Sequence, residues 1–519
     1  MNAWHVRRGV SWLSRPAALP SKLRRWLRRR ALTPAYRAAL SGRELQVEAG
    51  PLPDRFTISV AMPVFRVAER HLRAAIASVA AQSWPDWELL AVDDASPDPH
   101  VARVLAEAAA DPRVRVVRRS ANGGVSVTSD EAVATARGEY VAFLDHDDVL
   151  HPRALELAVR FLVRRPETDW LFTDEDRVDE AGAHSEPMFK PGWSRHLLLA
   201  LNLVSHMRVV RRAAIESAGG HRPGFEGAQD YDLALRLLAS GGTFRHLPGP
   251  LYHWREAPGS MARVASEKPA ANVRALAALL EHAGTFPRGG EPLAEVLVGS
   301  ASLFRVRRPA DPDISLAVAV RDAAAFDPAG WGPWRARPVA IADLGPAALA
   351  AAATSCGEDV LVVPPPTGMG ADAVAELLAL LQVPRTGAAA GRLVTGARVA
   401  ASGWVASENG QAIDPWAGMS VHDPGYLNLA LLPSRRLAPP PAGWVAWRVP
   451  LLAAWDAAAE VEETWRLAAG WMRLGLEVVT TPDVDLPCAS LPAAFRPGPA
   501  PEELPHARVA ALARLGLNP

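Results

Sequence analysis

Between Ile58 and Leu144 the chain alternates short apolar runs with stretches of helical period, and this pattern limits the possible folds more than any other feature. Ile58–Met62 (ISVAM), Glu88–Val92 (ELLAV), Val114–Val117 (VRVV) and Tyr140–Leu144 (YVAFL) have the length and the β-branched or aromatic content of buried strands. Between them, Ala68–Ala81 carries Leu72, Ile76 and Val79 on one stripe, and His100–Ala110 reads as a second helix. A third helix follows the Asn122-Gly123-Gly124 turn and runs to about Ala136. Strands alternating with helices of this length predict an α/β fold with a parallel sheet covered on both faces. Ligands of such sheets bind at the carboxyl ends of the strands. Pro63, Asp93-Asp94, Asn122-Gly123 and Asp145-His146-Asp147-Asp148 all fall at those ends. Any one of them is explicable as turn chemistry. All of them on one sheet edge are better explained by a nucleotide site.

The acidic stretch carries the most chemistry. Three carboxylates at the end of a buried strand repel one another unless a positive charge lies between them. A divalent cation with oxygen ligands is the usual answer, and such a cation commonly holds substrate phosphates too. Pro152 then opens an amphipathic helix with Leu155, Ala158, Val159 and Leu162 on one face.

At 519 residues the chain is too long for one ordinary core, so two or three domains are expected. Lys+Arg and Asp+Glu are equal at 56 each, so no overall charge points to nucleic acid as a partner. The first 50 residues are different. Arg24, Arg25, Arg28, Arg29 and Arg30 stand among Trp4, Trp12, Trp26, Leu23 and Leu27, with only Glu44 and Glu48 against them. Two readings fit: an arm lying on an anionic membrane surface, or a basic extension packed on its own protein. No run of roughly 18 or more apolar residues is present, so nothing is expected to span a bilayer, and the N-terminus lacks a signal peptide's apolar core. Two cysteines, Cys356 and Cys488, are too few for a disulfide framework or a zinc site, which suits a reducing cytoplasm.

The segment PVFRVAERHLRAAIASVAAQSWPDWELLAVDDAS, followed by ANGG and GEYVAFLDHDD, resembles the nucleotide-binding half of family 2 glycosyltransferases, which have the GT-A fold. DWLFTDEDRVDEAG, FKPGWS, NLVSHMRVVRR, EGAQDYDLALRL and YHWREAPGSMA extend the resemblance, in order, to bacterial members that build envelope polysaccharides. It covers about Phe56–Ala262. The family commonly has Tyr-Asn where this chain has Phe65-Arg66, Gly where it has Ala95, and a neutral residue where it has Asp130. The resemblance implies an inverting, metal-dependent transfer of a sugar from a nucleotide-diphosphate donor to a hydroxyl of an envelope glycan or lipid-linked acceptor. It assigns Asp94 to the base of the nucleotide and Asp147 to Mn²⁺ or Mg²⁺, with Asp145 in support through the ribose or a metal-bound water. Pro63, Asp93, Asn122, Gly123 and His146 complete the expected donor site. His253 resembles the histidine that finishes the metal shell in some relatives, and Arg255 is placed to reach a phosphate. Asp230 matches the general base, and Gln229 stands where Glu is frequent. Asp174, Glu175 and Asp176 follow the predicted strand Trp170–Phe172, with Glu175 a candidate for sugar hydroxyls and a plain acidic turn the alternative.

The second half repeats the first. ISLAVAV at Ile314 matches ISVAMPV at Ile58, and VAIADLG at Val339 matches LAVDDAS at Leu90. GEDVLVVPPPT at Gly357 lies over GEYVAFLDHDD without a gap, and GWVAWRVPLL at Gly443 lies over HMRVVRRAAI. Asp145, His146 and Asp147 thereby correspond to Pro364, Pro365 and Pro366, and Asp230 to Thr464. Proline binds no cation through its side chain, and threonine is no base at neutral pH. The expected organisation is a basic arm (1–54), a GT-A catalytic domain (55–285), a linker (286–312), a degenerate GT-A-like domain (313–490) and a tail (491–519). The protein is expected in the cytoplasm, docked on the inner face of the inner membrane if the arm binds lipid. A nucleotidyltransferase is the enzymatic alternative, but PVFRVAERHL lacks the Gly-rich loop that cradles a triphosphate. A glycan-binding pseudoenzyme is the non-catalytic alternative.

Overall fold

The structure, a computed structural model, describes residues 52–188, 190, 192–255, 268–286, 289–296, 302–320, 322–341, 346–364, 369–384 and 386–395, and short strands between 398 and 487. The basic arm up to 51, Pro365, Pro366, Thr464 and the tail lie outside the described residues. The chain divides into two compact units. The first takes the described residues up to Trp193 and Asn202–His282, and the second takes Ser194–Leu201 and those from Ala283 onward.

In the first unit β1 (Ile58–Val64), β2 (Trp87–Asp93), β3 (Val114–Arg118) and β4 (Tyr140–Phe143) form a parallel sheet in the order β3-β2-β1-β4. β1 and β2 are apolar on both faces because both faces are covered. Ile58, Val60 and Met62 pack with Leu72 and Val79 of the helix Glu69–Ala80, Val101 and Leu105 of Pro99–Ala108, and Leu155 and Leu162 of Ala154–Arg164. The helix Gly124–Thr135 packs on β1 and β2 as well.

Beyond β4 the sheet is mixed, which corrects the all-parallel expectation. β6 (Trp170–Val178) lies one place removed from β4, and β8 (Arg208–Arg211) fills the gap antiparallel to both. β9 (Phe244–Arg255) runs parallel to β6 and carries β5 (Val149–Leu150) on its far side, while β7 (His184–Met188) pairs back on β6. β8 is only RVVR, too short and too charged for its period to be read from sequence. A second correction concerns Asp174, Glu175 and Asp176. They do not follow a strand but lie inside β6, since each buried carboxylate has a partner and the ladder continues through them. Within the predicted linker, Leu293–Val296 and Phe304–Arg307 form an antiparallel ribbon.

In the second unit Ser315–Val320 pairs in parallel with Arg335–Ala340 and with Val360–Val362. Val360–Val362 is antiparallel to Val445–Arg448, which is antiparallel to Thr386–Thr395, which is parallel to Glu477–Pro487. This order and this series of senses are those of β2, β1, β4, β8, β6 and β9.

Candidate active site

At the end of β2 the Asp94 carboxylate organises the neighbouring turn. It accepts the N–H of Gly123 (2.8 Å) and of Gly124 (2.9 Å) and a guanidinium hydrogen bond from Arg119 (2.7 Å). Asn122 donates to the Asp94 carbonyl at 3.3 Å. A Cβ on Gly123 would fall 2.1 Å from the Arg119 guanidinium, so glycine suits the close approach. Among the described residues three hydrogen bonds reach the Asp94 carboxylate, of the roughly four it can accept. Asp93 is internal: it receives the Ser96 N–H (2.9 Å) and lies 3.4 Å from Arg118.

The acidic loop after β4 is held from below and from both sides. Asp148 is fully buried, accepting from the Tyr252 hydroxyl (2.6 Å) and the Arg255 N–H (2.7 Å). Burial, then the nearby Asp147 and Asp145, raises its carboxyl well above the usual range. Asp148 therefore anchors the loop on β9. His146 reaches the Pro63 carbonyl through Nδ1 (3.0 Å), and the Asp145 N–H reaches the Tyr252 hydroxyl (3.3 Å). Arg255, expected at a phosphate, donates through Nε to the Asp147 carbonyl at 2.8 Å. Asp145 and Asp147 remain partly exposed. The Asp147 carboxyl is raised, first by burial, with His146 lowering it and Asp145 raising it again. Carboxylate oxygens are hard donors of the kind divalent cations take.

Asp230 opens the helix Gln229–Ala239 and is 8% exposed. Its carboxylate receives Asn202 Nδ2 (2.9 Å) and the Tyr231 N–H (2.8 Å), and Arg208 lies 3.6 Å away. Burial acts to raise its carboxyl, but Arg208, His206, Asn202 and Tyr231 outweigh burial, and the net position is below the usual range. The guanidinium of Arg208 also stacks over Phe143 (4.5 Å), the last residue of β4, so the base candidate and the acidic loop share one anchor. Two buried atoms beside Asp230, Asn202 Oδ1 and Arg208 Nε, have no hydrogen-bond partner among the described residues. Both residues lie in the NLVSHMRVVRR segment, whose sequence by itself assigns neither a role. The available signal was an arginine directly ahead of the apolar pair Val209-Val210. Gln229 accepts the Gly227 N–H (2.6 Å).

The remaining expected residues are engaged elsewhere. Glu175 is buried, 3.4 Å from Lys190 Nζ. Asp174 receives the N–H groups of Lys190 and Gly249 and pairs with His246, all at 2.8 Å. His253 meets Asp176 at 2.6 Å and stacks edge-on against His184.

A mixed sheet of this order and these strand senses is the arrangement of the GT-A fold. Residues 59–219 match the family model described as Glycosyl transferase family 2, so this stretch of the chain is similar to that family. It is 42% identical over 295 residues to the uncharacterized protein y4gI of Sinorhizobium fredii, covering 55% of this chain and 32% of that protein. Identity to the O-antigen biosynthesis protein RfbC of Myxococcus xanthus is also 42%, over 275 residues, covering 52% of this chain and 21% of the relative. The chain thus spans a third or less of the length of these two relatives. A solved structure of S. aureus TarS 1-349 with UDP-GlcNAc is similar at a TM-score of 0.37 and 19% identity, covering 44% of this chain and 66% of that one.

Proposed function

We propose that the chain transfers a sugar, with inversion, from a nucleotide-diphosphate donor to a hydroxyl of a cell-envelope glycan or lipid-linked acceptor, and that the first unit alone carries the chemistry. The observation that carries this reading is Asp230: a buried carboxylate kept ionised by Arg208 and Asn202, beside two polar atoms left for a ligand. An acceptor hydroxyl is a poor nucleophile until its proton is drawn away, and an ionised carboxylate at the start of a helix can take it. Asp94 would receive an N–H of the base, and Asp93 and Asn122-Gly123 would shape the pocket around it. Pro63 and His146 would fix the loop that faces the diphosphate. Asp147, with Asp145 beside it, would hold Mn²⁺ or Mg²⁺, and such a cation would neutralise the charge growing on the leaving diphosphate. His253 and Arg255 sit on the strand next to that loop, and Glu175 and Gln229 are candidates for sugar contacts.

The envelope acceptor is supported by the RfbC likeness. The second unit is read as a degenerate GT-A-like copy, supported by its matching strand order and by Pro364 at the place of Asp145. No described helix is long and apolar enough to cross a membrane. Docking on the cytoplasmic face of the inner membrane is proposed for the basic arm, in which Arg24, Arg25, Arg28, Arg29 and Arg30 stand among Trp and Leu residues. The test has two parts. Nucleotide sugars should raise the melting temperature only with Mn²⁺ or Mg²⁺ present, and Asp147→Asn should abolish that rise. The product should then show, by NMR, the anomeric configuration opposite to the donor's. A retained configuration overturns the mechanism.

A further inference from the structure

A series of contacts leads from Asp130 to Asp230. Asp130, on the helix Gly124–Thr135, receives the His221 N–H at both carboxylate oxygens (3.0 and 2.9 Å) and meets His221 Nδ1 at 2.6 Å. Gly220 lets the peptide come this close, since its φ is 68° and a Cβ there would fall 2.4 Å from Asp130 Oδ2. The His221 side chain is fully buried, and its Nε2 has no hydrogen-bond partner among the described residues. Its ring stands edge-on to Phe143, at 76° with centroids 5.4 Å apart, and the Arg208 guanidinium lies over the same Phe143 ring at 4.5 Å. Arg208 in turn is 3.6 Å from the Asp230 carboxylate. A second route follows the backbone: Arg222 reaches both oxygens of Asp232 at 3.1 Å, and Arg236 donates to the Gly220 carbonyl at 2.6 Å. Asp232 and Arg236 belong to the helix in whose first turn Asp230 lies.

We propose that Asp130 and His221 are positioning residues for Asp230: their pair sets the His221 ring against Phe143, and thereby the Arg208 guanidinium against the Asp230 carboxylate. The inference rests on the reading of Asp230 as the base. Asp130 is also a position at which the family resemblance leads one to expect a neutral residue. Phe143 and Arg208 are both buried, and in a close-packed interior a group that loses one neighbour shifts toward the gap. An edge-on ring pair and a cation over a ring act only at short range, so a displaced His221 is felt at Arg208. Without Asp130 the His221 N–H and Nδ1–H would stand unpaired in a buried place, a cost that the loop relieves by moving. Asp230 would then feel Arg208 less. Burial raises the Asp230 carboxyl, and Arg208, then His206, Asn202 and the Tyr231 N–H lower it. Of these charged groups Arg208 lies on β8 and His206 two residues before it, while Asp232, on the helix of Asp230 itself, is paired with Arg222 and Arg236.

The test uses the full chain and needs neither donor nor acceptor, so its failure is distinct from a failure of the base reading, which full turnover in Asp230→Asn would mark. Urea melts across pH give the stability gap between chains with and without Asp230→Asn. A carboxyl held low in the folded state stabilises above its unfolded pKa, and the gap closes as pH falls through the folded one. Asp130→Ala should move that closure upward by roughly 0.5–1 pH unit. Asp130→Asn should leave it near the wild-type position, because the amide still accepts the His221 N–H and donates to Nδ1 once the ring proton moves to Nε2. Phe143→Leu removes the ring between His221 and Arg208 and should reproduce the shift of Asp130→Ala, a readout that holds even if Asp130→Ala does not fold. A closure that stays in place in Asp130→Ala, an Asp130→Asn chain that shifts as far as Asp130→Ala, or no shift in Phe143→Leu overturns the proposal.

Discussion

Arg66 and Ala95 adopt φ of 49° and 58°, the left-handed region that glycine and asparagine enter at low cost. Both lie at strand ends facing the donor site, joined through the Arg66 N–H to the Ser96 hydroxyl at 3.3 Å. They are also positions at which the family resemblance leads one to expect Asn and Gly. The strain is local, so Ala95→Gly should stabilise the protein by about 0.5–1 kcal/mol, the relief of the left-handed alanine less the entropy of glycine. A shift of the urea midpoint to higher concentration at constant slope is the measurement, and an unchanged midpoint contradicts it. At Asp230 the change concerns rate. Asp230→Asn keeps an acceptor for the Tyr231 N–H but removes the base, so turnover should fall by about 10²–10⁴ while donor affinity stays nearly constant. Single-turnover kinetics with independently measured donor binding would show it.

At the level of elements, the helix Ala154–Arg164 shows how local sequence positions a distant loop. Glu156 in its first turn accepts from Arg153 (3.1 Å), Arg160 (2.9 Å) and, from outside the helix, Ser83 (2.8 Å). Arg153 is the main cause, with Ser83 and Arg160 adding and burial opposing, that brings the Glu156 carboxyl down to about 2. A folded pKa below the unfolded one contributes stability above the unfolded value of 4.5, lost as pH falls toward about 2. Discounted for the exposure of Arg153, the contribution is about 1–2 kcal/mol. Glu156→Gln should lower stability by that amount at pH 7 and make almost no difference near pH 2. Urea melts of both proteins across this range decide it, and parallel curves would count against the ion pair. The hairpin between β6 and β7 is held similarly, with Glu180 taking two bonds from Arg70 (3.0 and 3.1 Å) and one contact from His71 (3.1 Å) on the helix Glu69–Ala80.

For the whole molecule, the arm before residue 51 and the two units pose separate questions. Removing residues 1–50 should release the protein from anionic vesicles, and salt should weaken binding of the intact chain because the attraction is screened over roughly 10 Å or less. Co-sedimentation measures both, and equal binding with and without the arm would rule out docking through it.

What the sequence determined by itself is what local chemistry encodes. The strands β1, β2 and β4 were legible because they are buried nearly throughout and end in turn residues, and the edge strand β3 because it is valine-rich and lies between two helical stretches. The sheet edge bearing Asp94, Asn122-Gly123 and Asp145–Asp148 followed from that alternation alone. Tertiary structure decided the rest. β8 is four residues long and gains its place from the gap between β4 and β6, which no periodicity reports. Asp174, Glu175 and Asp176 read as an acidic cluster after a strand, either sugar-binding or a plain turn, because buried carboxylates look like exposed ones until their partners are known. Lys190, His246, His184 and His253 come from up to 77 residues away to satisfy them. The roles of Arg208 and Asn202 likewise depend on a helix start that reaches them only once the chain has folded. A carboxylate's charge is set by what surrounds it in space, and that is the information a linear sequence holds least directly.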